Sequence, residues 1–444
     1  MQGRARGAAS RHLCVPRHLL IASACCLAMA GCLGNMGGDE VSRLATGPSG
    51  APEPTPEQRE AAASPVISAL QARRSILPPQ SAYSTVSNAV LAANSRTAEA
   101  ELRAARLRAA AASKNWLPRI GPSISLTSLS DVVANLVLEQ VLFGHGRLKA
   151  ERAFAKADVE VAAVALADDT NERVLTALTL YLGAAEARER RALDSRTLKD
   201  MSHFEWIMRQ RVEGGVSDRS DLSILAQKLG EIRLSLTSAE EAERTALAEL
   251  NAMAATPLDD VSGLRDLTGP MPEAEPLSVL RAMAEEDRSV AEARTERAGL
   301  LPGLTASGTV GSDNDGGVNL GGGLLGLGTG DSLRAIEMQK DAAARKTRQA
   351  EEDAARTLRR LEQEIIALER QVGEAAALAA QARANLDLFQ EQYDSGQRQV
   401  MDVVGVYETF AAREQSALSR KYELARARLK SARLLGLLAD GSRI

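Results

Sequence analysis

Cysteine stops early in this chain. Cys14, Cys25, Cys26 and Cys32 are its only four, so the hundreds of residues that follow hold no disulfide and no thiolate. Histidine is almost as scarce, with only His145 and His203 beyond the first 32 residues, far apart and in different elements. A transition-metal site therefore has almost no ligands, and no metal is expected. His145, in the FGHGR turn, reads as a loop residue. No phosphate loop, GxSxG elbow or nucleophile–base signature occurs. Gly321-Gly322-Gly323 lacks the Lys-Ser/Thr helix a phosphate loop needs, and strand alternation explains it better. Carboxylate runs such as Glu351-Glu352-Asp353 lie among basic residues at helical spacing, as solvated faces do. No cofactor is implied and the chain does not read as an enzyme. A net charge of −4 gives no basic patch for nucleic acid.

What is present is alanine, with charges of both signs at 25% and aromatics at only 3%, the profile of long packed helices. Between those helices lie two alternating stretches. From Ile120, apolar or proline residues (Ile120, Pro122, Ile124, Leu126) alternate with Gly121, Ser123, Ser125 and Thr127, the period of a strand with one apolar face. Leu136 and Leu138 continue that face on the return, with Asn135 and Glu139 opposite and Ser130-Asp131 as the turn. The pattern recurs downstream. Leu301-Pro302 matches Leu117-Pro118, Gly328 matches Gly144, and Gly330 matches Gly146. Leu304, Ala306, Gly308 and Val310 face one way, Asp313 to Gly317 form a turn, and Val318 and Leu320 return. The chain is a duplicated helix–hairpin–helix unit. Two hairpins alone make no stable sheet, so partners must complete it.

Residues 1–31 read as a signal peptide: Arg4, Arg6, Arg11 and Arg17 precede the apolar run Leu19–Ala30, which is too short to span a bilayer. Met29-Ala30-Gly31-Cys32 resembles a bacterial lipobox with Met29 in place of the usual Leu, Val or Ile, and it makes Cys32 the acylated mature N-terminus. Cleavage there takes the formal charge from −4 to −8. Residues 32–83 read as a lipidated N-terminus and flexible linker rich in Gly, Pro and Ser, with room for a short helix over 61–76.

The first repeat spans 84–255, with strands about 119–143; a loop over 256–276 joins it to the second, 277–439, with strands about 303–327. The first helix is expected over 84–115, with Ser87-Asn88 as caps, until Pro118 forces the change to strand. A helix over 147–212 would run roughly 100 Å, too long to be buried in a globular domain. Gly214-Gly215 ends it, and Ser217 or Asp218 caps the next, which reaches about residue 255. In the second repeat, helices over 277–298, 332–393 and 400–439 follow the same plan, with the break at Gly396. Asp221 and Asp402 each lie six residues after the equivalent glycines Gly215 and Gly396.

The helix-to-strand junctions WLPRIGPSIS and LLPGLTASG, the stretch LEQVLFGHGRLKAERAFAKADVEVA and the closing YDSGQRQVMDVVGVYETFAAREQSALSRKYELARARLKSARLLG resemble the TolC-like outer-membrane factor family, in its lipoprotein branch. The resemblance implies a mainly α fold with a small β part. Its units form a long α-helical barrel and, as a homotrimer, a twelve-stranded transmembrane β-barrel. It implies a passive duct in the outer membrane, anchored by lipid and reaching into the periplasm, which works with a periplasmic adaptor and an inner-membrane pump in efflux or type I secretion. It also implies a periplasmic gate: Arg398 pairing with Asp221, Tyr393 beside them, and Asp402 lining the constriction, with Gly405 where the best-known members carry a second aspartate. The rival reading is a periplasmic coiled-coil lipoprotein, a tether or scaffold, which the long helices and lipobox suit but the two hairpins do not.

Overall fold

A computed structural model describes residues 64–93, 97–126, 132–264, 267, 271–310, 315–321, 326 and 328–443. The signal peptide, Cys32 and the linker up to residue 63 lie outside the described residues, as do the Ser130-Asp131 turn and residues 311–314. The elements are helices α1 (Pro65–Gln71), α2 (Ala82–Ala92) and α3 (Thr97–Ala112), strands β1 (Arg119–Leu126) and β2 (Val132–Phe143), and helices α4 (Arg147–Glu213), α5 (Arg219–Met253) and α6 (Leu277–Gly299). Strands β3 (Gly303–Val310) and β4 (Asp315–Gly321), helices α7 (Thr329–Asp394) and α8 (Val400–Leu434) and a final 3-10 turn (Gly441–Arg443) complete the chain. The fold class is the expected one: mainly α, with a small antiparallel sheet supplied by two hairpins at equivalent places. Among the described residues no helix is long and apolar enough to cross a membrane.

From the hairpins onward the two halves correspond element by element, while the single helix α6 stands where the first half has α2 and α3. Helix α4 has 67 residues and α7 has 66, while α5 and α8 have 35 each. Both junction prolines do what the sequence requires of them, since β1 begins one residue after Pro118 and β3 one residue after Pro302.

Five features differ from the sequence reading. The first helix starts at Ala82 and is capped by Ser81, whose side chain accepts from the Ser84 N–H while Ser84 Oγ accepts from the Ser81 N–H; Ser87 is buried inside the helix. That helix ends at Ala92, where Ala93 turns to extended backbone, and α3 starts afresh at Thr97. Residues 64–79, read as flexible linker, pack as a strap: α1 buries Val66, Ile67 and Leu70, and buried Arg73 donates to the carbonyls of Leu435 (2.8 Å) and Glu275 (2.6 Å). Burial holds the Arg73 guanidinium down to about 10, against the opposing pull of Glu275. Helix α8 stops at Leu434, short of 439, because Gly436 adopts φ 64° in a reversed turn closed by Leu437 N–H to Ala432 O (2.9 Å). Only glycine fits there, since a Cβ would meet Arg73 and Leu277. In the second hairpin, Asp315 to Gly317, read as turn, are the first residues of β4.

The sheet runs β1-β2-β3-β4, every pair antiparallel. Its register sorts most side chains by face, with Gln140 on the apolar side beside Ala306 and with Val137 and Val141 on the other beside Thr309 and Thr305. Ile120 pairs with Leu138 and Pro122 with Leu136; Leu136 pairs with Val310, Ala306 with Val318, and Leu304 with Leu320. All of these share one apolar face. On the other lie Arg119, Glu139 and Ser307, then Thr309 and Asp315, then Thr305 and Asn319, with Asn319 Nδ2 donating to Ser307 Oγ at 2.7 Å. Leu136, Leu138, Val318 and Leu320 are exposed within the chain, and both edge strands are unpaired on their outer side. A sheet with one bare apolar face and two open edges is unfinished as a monomer.

Three apolar clusters hold the helices. One near the sheet joins α1, α3, the start of α4 and α6 through Ile67, Leu102, Val164 and Leu280. A middle one centres on Tyr83, Leu178, Tyr181 and Tyr422. The third, at the far end, gathers Met201, Phe204, Met208, Leu225, Leu229, Leu386, Val403, Val404, Tyr407 and Phe410.

Candidate gate at the helix turns

The third cluster packs the ends of both long helix pairs, and the predicted site residues lie at its border. Each turn is built by the same backbone device. Gly215 (φ 71°) receives α4, with Gly215 N–H to Val212 O (3.1 Å) and Val216 N–H to Arg211 O (2.8 Å). Gly396 (φ 77°) receives α7, with Gly396 N–H to Tyr393 O (2.9 Å) and Gln397 N–H to Gln392 O (2.8 Å). This paired closure requires the left-handed conformation that glycine adopts without strain, which is why both turns carry it.

Tyr393 is half-buried against the cluster. Arg398 is exposed; its Nε donates to Gln392 Oε1 at 2.9 Å and its guanidinium sits 4.5 Å from the centre of the Phe389 ring. Asp402 is exposed in the first turn of α8, where its Oδ2 accepts from the Gln399 N–H at 3.2 Å. It caps its own helix and still presents its second oxygen outward. Gly405, one turn on, is also exposed, with open space where a side chain would project. Asp221 is half-buried at the start of α5 and makes no hydrogen bond or ion pair among the described residues. Arg398 and Asp221 therefore do not pair within one chain: Arg398 is held by its own turn.

Different residues tie the two helix pairs together. Lys228 of α5 bonds Glu408 of α8. Tyr407 Oη donates to Asp200 Oδ2 of α4 at 2.7 Å. Burial raises the Tyr407 phenol, and the Asp200 carboxylate beside it raises it further, so the tyrosine stays a neutral donor. Higher up, buried Asp194 of α4 accepts from Gln415 (2.6 Å) and Ser235 (2.7 Å). Tyr422 donates to Glu189 (2.7 Å) and Arg426 to Glu186 (2.6 Å). One face of α4 thus presents acids and the facing side of α8 presents donors. Sequence reasoning missed this ladder. Its one visible signal is that Lys228 and Glu408 lie seven and six residues beyond the paired aspartates Asp221 and Asp402.

No protein-family model matches the chain, and no curated protein matches it in sequence. Solved structures do match it. The CmeC outer membrane channel of Campylobacter jejuni aligns with a TM-score of 0.69 at 13% identity, over 81% of this chain and 87% of that one. The outer membrane protein VceC of Vibrio cholerae aligns with a TM-score of 0.67 at 13% identity, over 80% and 96%. The outer-membrane channel OprN aligns with a TM-score of 0.69 at 17% identity, over 90% and 98%. The chain has the fold of these outer-membrane channels, the TolC-like fold that its junctions and turns resemble.

Proposed function

We propose that three copies of this chain close into a passive outer-membrane channel, the exit duct of a tripartite efflux or type I secretion assembly. The carrying observation is the unfinished sheet. Its strands alternate in direction, so β4 of one copy meets β1 of the next antiparallel, and three sheets of four make a closed twelve-stranded barrel. The apolar face then meets lipid and the face of Arg119, Glu139, Ser307 and Asn319 meets the aqueous lumen. Below, the helices continue the duct across the periplasm to an adaptor and an inner-membrane pump, which supplies the energy. Cys32 adds a lipid anchor.

The helix turns form the gate. Asp402 projects one free carboxylate oxygen from each copy, and a ring of three favours cations at the constriction. Among the described residues Asp221 has no side-chain partner, which supports an Arg398–Asp221 contact between neighbouring copies. Gly405 leaves the ring one carboxylate layer thinner than in the best-known members.

The test is single-channel conductance of the purified oligomer in planar bilayers. Wild type should show a small, cation-selective conductance. Asp402→Ala should lower the selectivity, and Arg398→Ala should raise the open conductance severalfold. If verified oligomer forms no channel, the duct reading fails and the envelope tether replaces it.

A further inference from the structure

We infer that the junction of sheet and helices holds a phospholipid headgroup: a pocket lined by Lys149, Arg294 and Arg297 binds the phosphate of an anionic lipid in the leaflet at the barrel's helical end. The inference rests on the membrane reading of the sheet. The pocket, of about 440 Å³, lies where β2 passes into α4 and α6 passes into β3, and its floor is Gly146, Ala150, Ala298 and Leu301. No carboxylate lines it. Lys149, Arg294 and Arg297 are exposed, and among the described residues none of their side chains has a hydrogen bond or ion pair.

Close by, cations are satisfied. Arg147 pairs with Glu151 at 2.9 Å, and Arg288, deeper on α6, lies 3.4 Å from Asp158. Three unpaired cations around one concavity leave an electrostatic demand that the chain itself does not meet. A phosphate supplies it. Helix α4 adds to the same field, because its positive end lies at Gly146 in the pocket lining with no side-chain cap.

His145 links the pocket's lining to the sheet. Its backbone is left-handed (φ 47°), its Nε2 lies 3.0 Å from the Pro302 carbonyl oxygen, and its ring meets Phe143 edge-on at 4.7 Å. Phe143 pairs with Leu304, on the apolar face of the sheet. The pocket therefore lies directly beneath the lipid-facing surface. Acyl chains rise along Phe143, Leu304 and Leu320 while the phosphate sits among the cations. A free phosphate would meet the cations equally well but has no use for that apolar wall.

Native mass spectrometry of the detergent-purified, full-length oligomer tests this. The probes are phosphatidylglycerol, phosphatidylcholine and inorganic phosphate, each offered to wild type and to the Lys149→Gln/Arg294→Gln/Arg297→Gln variant. Wild type should retain phosphatidylglycerol in preference to phosphatidylcholine, and the variant should retain at least about tenfold less. A charge-preserving variant, Lys149→Arg/Arg294→Lys/Arg297→Lys, should hold it nearly as wild type does. Equal retention by wild type and the glutamine variant overturns the site. Displacement of the lipid by millimolar inorganic phosphate overturns its lipid identity. Membrane fractionation separates the two readings: wild type absent from the membrane fraction removes the barrel, whereas wild type in the membrane with unaltered lipid retention in the variant removes only the pocket.

Discussion

Helices α4 and α7 occupy the same place in the two repeats, differ in length by one residue and end in the same glycine turn. Their surroundings are unlike. Twenty-two residues of α4 are buried within the chain, and only seven of α7 are, so α4 is the spine of the monomer and α7 one of its outer surfaces. Yet α7 is not polar throughout: Met338, Ile366, Leu378 and Leu388 stand exposed along it, as do Ile224 and Leu234 along α5. Two rods of nearly equal length thus play different parts within the chain: α4 holds it together, while α7 leaves apolar side chains exposed, as the proposed oligomer requires. The sheet repeats the lesson. Its first hairpin carries Ile120, Leu136, Leu138 and Phe143, while its second carries Leu304, Val310, Val318 and Leu320 interspersed with Gly308, Gly316 and Gly317.

The contrast is broken most strongly by charging α7. Leu378→Glu with Leu388→Glu should abolish the heat- and detergent-resistant oligomer on gels while leaving the circular dichroism of the helices intact. Leu178→Ala in α4, at a fully buried position, should do the reverse: about 2–5 kcal/mol of chain stability lost, read as a lower denaturation midpoint. If both variants lose assembly and helicity together, the two helices share one role.

A smaller effect tests what the repeats hold in common. Gly215→Ala and Gly396→Ala each place a side chain at positive φ with open space around it, so each should cost on the order of 1 kcal/mol, and by similar amounts. Unequal costs would mean that one turn is held by more than its own backbone.

The smallest effect concerns a buried acid on the spine. Burial raises the Glu160 carboxyl; Ser64 and Lys156 act against that and Asp287 with it. A raised acid favours the fold fully below its unfolded value and loses that contribution as pH climbs through the folded one. Glu160→Gln should therefore melt above wild type at pH 7 and level with it at pH 4. Matching midpoints at both pH values would rule the effect out.

Periodicity and punctuation were the readable part of this sequence. Alternation over Ile120–Leu126 and Leu304–Val310, the prolines Pro118 and Pro302, and the glycines Gly215 and Gly396 each act through the local backbone, so the strands and the turns could be placed. Long-range pairings were not readable. Arg73 binds carbonyls contributed by residues 275 and 435, and Lys228 meets Glu408 across 180 positions; neither has a period to reveal it. At the candidate gate the turn glycines were readable, but the pairing of Arg398 with Asp221 is not made within the chain, where the turn itself engages Arg398.

The strap has a consequence for the order of events. Arg73 emerges early in synthesis and its acceptor at Leu435 emerges 362 residues later. Ser75 likewise waits for Leu438 and Asp440, and the Arg73 carbonyl for Gly441. A chain arrested after α8 would own every strand and every long helix, and its strap would still meet Glu275 and the apolar cluster of α3, α4 and α6, but it would lack the contacts to residues 435–441. Loop closure over such a separation is slow and comes after the local helices have formed. The strap thus joins two segments that lie 362 positions apart at Arg73 and Leu435, so a cut anywhere between them leaves this contact to be made by association of two pieces.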